Sequence, residues 1–389
     1  MDEPHVHFTR AEFADRQARM RQTLVEHELD GMLLFTIEDM YWLCGLDTDG
    51  FCIFHCMFIG TEGQLTHLTR NSDLANVRYS SICQDVRICR DGNDVSRPEE
   101  IKQLLHSHGM RGRRIGIQLD TKGLTPQLYL ELRETLDGWC RLVDASNLVG
   151  TLRLVKSPQE LAYIRKAGDI LDTVREVAVG AAKPGLSKAD IYGLVYQAAF
   201  ASGGDPPAHR PPIGCADASL NTRYTTGNQW LAENDHMTFE LGVGYRHYHA
   251  GNFFVVLTGP DIDSRQLAMH RAAVEALDNV QDTMRPGRTF GDLFDVHRAT
   301  LAEQGYGHAA LSACGYTMGA VWPPTWMEKP QIVRGNPTVL EPNMTIFAHM
   351  ILVDRDNGLM MGLGEQAIVT ENGGPEIVTH VPREPVANS

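Results

Sequence analysis

The stretch at 237–259 restricts the possible folds of this chain more than any other segment. Its two flanks, at 237–239 and 253–257, are rich in β-branched and aromatic residues, which predicts two antiparallel strands. We expect the chain to turn between them through Gly242 and Gly244. The polar residues of the stretch are Glu240, Arg246, His247, His249 and Asn252. Because such groups are costly to bury, they indicate either a hydrogen-bonded hairpin with a solvated tip or part of a functional site.

Three later strand-like segments carry polar residues of the same kind. Tyr316, His349 and Glu365 each lie among small or apolar neighbours. A single histidine in such surroundings is usually a satisfied core residue, and that is the simpler interpretation of His349 taken alone. Because Glu240 and these three residues occupy comparable positions on strands, we favour a common site on one sheet.

The C-terminal half contains a faint internal repeat. The Pro-Gly pairs at 184–185 and 286–287 are 102 residues apart. In each copy a capping residue follows, Ser187 or Thr289, and then a helix and a strand-rich section. Two related copies predict a pseudo-two-fold α+β domain, with one curved antiparallel sheet and helices outside it. A site between the two halves would draw groups from both.

The first part of the chain is organised differently. Strand-like runs at 31–35, 86–88 and 115–117 alternate with helix-like segments at 98–106 and 127–136. This alternation predicts an α/β domain with a mostly parallel sheet. Near an expected boundary at 143–154, Ser157 as N-cap with Pro158 after it predicts the start of a long helix. We therefore divide the chain into domains at 1–150 and 151–389.

Charge and composition argue against several classes of function. The net charge of −14 disfavours nucleic acid and anionic membrane as partners. No apolar run reaches the about eighteen residues of a membrane span, and the N-terminal segment lacks the pattern of a signal peptide. Eight scattered cysteines are typical of reduced thiols. We expect a soluble cytoplasmic protein that is an enzyme or a small-molecule binder.

Several motifs together resemble the pita-bread superfamily, which comprises creatinase, ectoine hydrolase, prolidase, aminopeptidase P and methionine aminopeptidase. Besides the hairpin around Glu240, they are R-L-V-K-S-P-Q-E-L at 153–161, V-L-E-P-N-M-T at 339–345 and E-Q-A-I-V-T-E-N-G at 365–373. The resemblance covers nearly the whole chain. It implies a creatinase-type N-terminal α/β domain followed by an α+β pita-bread catalytic domain. W-L-x-G at 42–45 and the Gly-Tyr and Pro-Pro motifs at 315–326 are most similar to ectoine hydrolase.

The resemblance also bears on metal binding. Metallopeptidase members of the superfamily hold two metal ions with two Asp, one His and two Glu. The residues that we place at those positions are Glu240, Asn252, Tyr316, His349 and Glu365. Asn and Tyr are poor replacements for such ligands, so we expect no dinuclear site and no cofactor. A single ion held by the two glutamates and the histidine stays open. Metal-free members use a His before the hairpin, but the segment at 218–224 contains none.

The resemblance therefore implies a metal-independent hydrolase of a non-peptide C–N bond in a small polar molecule. We expect Glu240 as nucleophile or general base, His349 as proton shuttle and Glu365 as its orienting partner or a site for a cationic nitrogen. The expected substrate-binding residues are Tyr316, His249, Tyr248, Asn252, Arg223, Trp322 and Trp326. The relatives also imply a homodimer, in which the aromatic segment at 41–58 reaches the partner. The alternatives are a lyase or isomerase on the same scaffold, or a metal-free binding protein.

Overall fold

The computed structural model describes residues 3–92, 95–221, 223 and 227–388. It divides into two compact units, Met1–Arg153 and Leu154–Ser389. Within the described residues, the helices are α1 (Arg10–Glu26), α2 (Ile37–Cys44), α3 (Leu74–Ser80), α4 (Arg97–Ser107), α5 (Pro126–Thr135), α6 (Leu148–Leu154), α7 (Pro158–Ala181), α8 (Lys188–Ala201), α9 (Ser264–Thr283) and α10 (Phe290–Glu303). The strands are β1 (Gly31–Leu34), β2 (His55–Gly60), β3 (Leu65–Arg70), β4 (Asp85–Cys89), β5 (Arg114–Ile117), β6 (Arg141–Asp144), β7 (Ile213–Cys215), β8 (His236–Tyr245), β9 (Tyr248–Thr258), β10 (Ala313–Thr317), β11 (Glu328–Val333), β12 (Thr345–Asp354), β13 (Leu359–Ile368), β14 (Glu376–Ile377) and β15 (Val386–Asn388).

The first unit is an α/β domain built on a six-stranded sheet of order β4-β3-β2-β1-β5-β6. The sheet is mixed rather than mostly parallel. β1 pairs antiparallel with β2, and β2 pairs antiparallel with β3, whereas the other three pairs are parallel. Between β2 and β3, the short connection at 61–64 allows a hairpin but is too short for a crossover helix. Leu33, Ile101 and Leu132 join this sheet, α4 and α5 in one buried core.

The second unit is built on an antiparallel sheet of order β11-β10-β12-β13-β9-β8-β7. β14 pairs with β13, and β15 adds to β9 in parallel. Helix α7 packs against β8 and β9, and helix α9 packs against β12 and β13. Helix α7 begins where the sequence indicates, because the Ser157 hydroxyl and the Glu160 carboxylate cap each other's backbone N–H groups.

The internal repeat is visible in the backbone hydrogen bonds. Gly185 N–H donates to the Leu231 carbonyl, and Gly287 N–H donates to the Leu340 carbonyl in the same way. Each segment then leads into a capping box and a helix of 14 residues, α8 or α10. The two halves of this unit therefore share one supersecondary plan, and the site residues considered below come from both.

The hairpin of β8 and β9 is longer than the sequence pattern indicates. Both strands continue to a two-residue turn at Arg246 and His247, whose φ angles are 54° and 64°. Two left-handed residues are typical of the type I′ turn, which matches the twist of the strands that it joins. We expected Gly242 and Gly244 to form the turn, but both lie within β8.

Candidate active site

The register of four neighbouring strands brings Glu240 and His349 to one face of the sheet. Glu240 pairs with Phe253, Phe253 with Gly364, and Gly364 with His349. Residues that pair directly across strands point to the same side of a sheet, so these four positions form one row. We call the side that carries this row the inward face. Tyr316 is on it too, because it pairs with Phe347, two residues before His349.

The adjacent row points to the opposite side, against the helices. Leu241 pairs with Asn252, Asn252 with Glu365, and Glu365 with Ala348. The structure therefore does not bring Asn252 and Glu365 together with Glu240, which corrects our placement of these two residues. A shift of one residue along a strand moves a side chain to the other face. The neighbours that share the face of Glu240 are Gly251 and Gly364.

Glu365 is held by hydrogen bonds on the side of the sheet that faces the helices. Arg383 donates two hydrogen bonds to its carboxylate, at 2.8 and 2.6 Å, and Gln281 of α9 donates a third at 2.9 Å. Arg383 also pairs with Asp278 of α9. Glu365 is 4% exposed, so these bonds hold the C-terminal segment against α9 and the sheet.

Replacing Arg383 should therefore destabilise the protein. In Arg383→Met, a buried carboxylate loses its cation, and we expect the free energy of unfolding to fall by about 2–3 kcal/mol. Arg265→Met is the matched control, because Arg265 pairs with Asp263 on the surface and its loss should cost less than about 1 kcal/mol. Urea denaturation of both variants measures the difference, and equal losses would contradict the role given to Arg383.

On the inward face, three side chains form a chain of hydrogen bonds that ends on Glu240. The indole Nε1–H of Trp326 donates to the Tyr316 hydroxyl at 2.9 Å. The Tyr316 hydroxyl in turn donates to Glu240 Oε1 at 2.9 Å. Tyr316 and Trp326 are almost fully buried, at 4% and 3% exposed, whereas Glu240 keeps part of its surface accessible.

Glu240 opens into a small pocket. The pocket encloses about 330 Å³ including its open mouth, and its other lining residues are His209, Pro212, Arg223, Thr325, Trp326 and Met327. Arg223 lies at an exposed position and acts electrostatically on both Glu240 and Tyr316. Its neighbours Thr222 and Tyr224, in the segment at 218–224, lie outside the described residues.

His209 is the pocket residue that our sequence analysis missed. Its ring lies 5.2 Å from the ring of Trp326, and its Nδ1–H donates to the Arg210 carbonyl. Because a carbonyl only accepts, Nδ1 carries the hydrogen and Nε2 is left as an acceptor. Burial lowers the pKa of His209, so the ring is neutral at neutral pH. The signal in the sequence is a histidine between two Pro-Pro pairs, at 206–207 and 211–212.

The electrostatics of the pocket are set by burial. Burial raises the pKa of Glu240, and the hydrogen bond from Tyr316, the charge of Arg223 and the indole of Trp326 offset part of this rise. Burial and the neighbouring Glu240 hold the pKa of Tyr316 well above its ordinary value. Tyr316 is therefore a neutral hydrogen-bond donor, and Glu240 is a carboxylate that takes a proton more readily than an exposed glutamate.

Three of the expected substrate-binding residues have structural contacts elsewhere. The Tyr248 hydroxyl donates to Glu160 at 2.6 Å, on the side of α7. His249 donates from Nδ1 to the His247 carbonyl at 2.7 Å and accepts at Nε2 from the Ala208 N–H at 2.9 Å. Trp322 is buried and stacks on His247 with ring centroids 3.8 Å apart. None of the three lines the pocket of Glu240.

His349 lies on the inward face beside Tyr316, with ring centroids 5.7 Å apart. It is 8% exposed, and its Nδ1 has no hydrogen-bond partner among the described residues. Burial lowers its pKa to about 4, so it is neutral at neutral pH. It does not line the pocket that Glu240 opens into.

The buried histidines of the second unit should make it sensitive to acid. Burial lowers the pKa values of His249, His297 and His349 to about 4 each. In the unfolded chain their pKa values are about 6.5. Between about pH 4 and pH 6.5 the unfolded state therefore binds more protons than the folded state, so the free energy of unfolding falls as the pH falls. Each can contribute up to about 1.4 kcal/mol per pH unit there. Urea denaturation should give a lower free energy of unfolding at pH 5 than at pH 7, and equal values would contradict this.

Glycines on the inward face give room to bulky side chains. A Cβ added at Gly242 would lie 2.6 Å from the ring of Trp326. A Cβ added at Gly251 would lie 3.1 Å from the Met318 side chain and 3.3 Å from that of Phe347. The space around Gly251, in the strand next to Glu240, is therefore filled by apolar groups.

These residues do not fit a dinuclear metal centre. In the row of Glu240, the potential ligands are Glu240 and His349, with Phe253 and Gly364 between them. Within the part of the chain that the structure describes, no three His, Cys, Asp or Glu side chains are grouped so that they could hold a metal ion. A divalent ion needs more ligands than this row supplies.

Comparison with known proteins places this arrangement in a known class. The creatinase/prolidase N-terminal domain matches residues 16–155, and metallopeptidase family M24 matches residues 162–371. The structure is similar to dipeptidase PepE from Mycobacterium ulcerans, with a TM-score of 0.85, 21% identity and coverage of 98% of this chain and 100% of that one. It is also similar to an Xaa-Pro dipeptidase from Bacillus anthracis, with a TM-score of 0.84, 19% identity and coverage of 96% and 99%.

The class is thus that of two-domain proteins with a creatinase-type first domain and a pita-bread second domain, which confirms the expected fold and resemblance. The chain belongs to metallopeptidase family M24, whose match spans more than half of its length. In sequence it is 26% identical to ectoine hydrolase from Halomonas elongata, in an alignment 394 positions long that covers 97% of each chain. Among the described residues, no helix has the length and apolarity that crossing a membrane requires.

Proposed function

We propose that this protein is a hydrolase that cleaves a non-peptide C–N bond in a small polar molecule without a metal ion. The observation that carries the proposal is the carboxylate of Glu240, which lines a small pocket and is held by the Tyr316 hydroxyl. The full-length similarity to ectoine hydrolase supports the reaction class. The poor fit of the inward face to a dinuclear centre supports the absence of a metal.

In the proposed reaction, Glu240 is the general base. It removes a proton from a water molecule as the water oxygen adds to the substrate carbon, and the departing nitrogen receives that proton as the C–N bond breaks. The raised pKa of Glu240 suits this task, because a stronger base accepts the proton at lower cost. His209 lines the same pocket and has Nε2 left as an acceptor, so we assign to it the proton-carrier role that we expected of His349.

The pocket also suggests a substrate class. A cationic nitrogen would pair with Glu240 and lie against the ring of Trp326, whereas an anionic group would pair with Arg223. The two charges would be only a few bonds apart, since the pocket is small. We propose a compact zwitterion that carries an amidine or amide group.

The test is a turnover assay with ectoine, other cyclic amidines, acyclic amidines and amides, followed by mass spectrometry. We expect the products of one amidine or amide to sum to the substrate mass plus one water molecule, as one ring-opened product from a cyclic substrate or two products from an acyclic one. A single product of unchanged mass would indicate an isomerase, and two products whose masses sum to that of the substrate would indicate a lyase. Cleavage of an Xaa-Pro dipeptide, with no turnover of any amidine or amide, would overturn the proposal.

We also propose that the protein works as a homodimer in the cytoplasm. All eight cysteines are free thiols, which suits a reducing compartment. The similarity to the creatinase type supports pairing of two chains. Light scattering at micromolar concentration should give twice the mass of 43.2 kDa, and a single-chain mass would contradict the dimer.

A further inference from the structure

The hydrogen-bond chain on the inward face has only one possible direction. An indole N–H can donate but cannot accept, so the Tyr316 oxygen must accept from Trp326. The phenol hydroxyl has a single hydrogen, and the pKa of Tyr316 is too high for the hydroxyl to lose it near neutral pH. That hydrogen is therefore left for Glu240 Oε1, 2.9 Å away.

The ring of Trp326 packs closely against two neighbours. It lies against β8, where the absence of a side chain at Gly242 admits the ring edge. The ring of His209 is also beside it, with centroids 5.2 Å apart. Trp326 is 3% exposed, so no solvent competes for its N–H. The donor therefore stays aimed at Tyr316.

We propose that Trp326 is a positioning residue, which fixes the direction of the Tyr316 hydrogen and so keeps Glu240 Oε1 a permanent acceptor. The oxygen that Tyr316 does not hold, Oε2, is then the one that takes the proton from water. The task given to Oε2 rests on the proposed function, in which Glu240 is the base. Trp326 thereby has a task that its place in the pocket wall does not by itself require.

Loss of the Trp326 indole should change the titration of Glu240. Without the indole N–H, the Tyr316 hydroxyl is free to rotate, and its hydrogen no longer points only at Oε1. The carboxylate then loses part of the hydrogen bonding that stabilises its charge, so the pKa of Glu240 should rise. A residue that only fills space would change the melting temperature without changing this pKa.

The experiment is a pH titration of the Glu240 carboxyl by difference infrared spectroscopy, with the band assigned through its absence in Glu240→Gln. Trp326→Phe keeps most of the ring and removes the donor, and it should shift the titration to higher pH. Tyr316→Phe should shift it further. If Trp326 acts mainly through Tyr316, the double variant should titrate close to Tyr316→Phe, with only a small further shift from the direct effect of the indole on Glu240. Trp322→Phe, at the buried tryptophan outside the pocket, is the control and should leave the titration unchanged.

Each outcome is decisive for Trp326. An unshifted titration in Trp326→Phe would overturn the inference. Fully additive shifts in the double variant would also overturn it, because they would mean that the indole acts on Glu240 only directly and not through Tyr316. The titration needs no substrate, so it is separate from the proposed function. A shifted titration in Trp326→Phe, together with full turnover by Glu240→Gln, would leave the positioning role intact and refute Glu240 as the base.

Discussion

Glu240→Gln should lower turnover by at least ~10²-fold and leave the protein folded. Glutamine keeps nearly the same shape, and its carbonyl oxygen can still accept the hydrogen bond from the Tyr316 hydroxyl. It cannot take a proton from water. Removing a buried charge also removes a desolvation cost, which offsets the weaker hydrogen bond. The measurement is kcat on whichever substrate the turnover assay identifies, with the melting temperature of the same sample.

Glu365→Gln is the matched control, since it makes the same change on the opposite face of the sheet. Glu365 is held by Arg383 and Gln281 and does not reach the pocket. We expect the reverse pattern, with a lower melting temperature and a nearly normal rate per folded molecule. Full activity in Glu240→Gln, or a large loss of rate confined to Glu365→Gln, would refute the assignment of the site.

Gly242→Ala should damage the site through packing alone. The new Cβ would lie 2.6 Å from the ring of Trp326, which is closer than a Cβ and a ring carbon can approach. The ring has to move, and its N–H then leaves the Tyr316 hydroxyl. We expect a loss of about 1–3 kcal/mol in the free energy of unfolding, typical of overpacking, together with a fall in kcat. Urea denaturation and the turnover assay measure the two effects.

The control for this substitution is Gly193→Ala in α8. No atom lies within 4 Å of a Cβ built at Gly193, and the residue is exposed within a helix. The same chemical change should therefore stabilise the protein, by about 0.5–1 kcal/mol. If Gly242→Ala were as stable and as active as the unmodified protein, the tight contact between β8 and Trp326 would not govern the site.

Local patterns predicted the elements well, because caps and strand composition act over a few residues. Ser157 caps α7 as expected, and Tyr316 and His349 lie on the strands β10 and β12. The N-terminal sheet was predicted less well. Strand β2 pairs antiparallel with both β1 and β3, which makes the sheet mixed rather than mostly parallel.

Which residues face the site depends on the register of the strands, and register is harder to predict from sequence than the strands themselves. We placed Asn252 and Glu365 at the site because they are the polar residues of their motifs. The residues on the inward face are their neighbours Gly251 and Gly364, one position earlier in each strand. Because the side-chain period of a strand is two, an error of one residue changes the face. A motif that contains a glycine beside a polar residue does not show which of the two faces the site.

His209 could not be placed from the sequence because its neighbours are distant along the chain. It shares a pocket with Glu240, 31 residues later, and with Trp326, 117 residues later. Only the folded sheet and the loops at its edge bring these segments together.

The position of the hairpin turn is a simpler case. Glycines usually supply positive φ angles, but here Arg246 and His247 adopt them, and the glycines of β8 serve packing instead.

The most direct test of the account is to measure metal content and turnover on the same sample. Purified protein is dialysed against a chelator, analysed for divalent metals and assayed with the substrate that the turnover screen identifies. The account predicts less than one metal ion per chain and an undiminished rate, because the inward face lacks the ligands of a dinuclear centre. Two tightly bound ions per chain, with turnover lost on chelation and restored by adding metal, would contradict it.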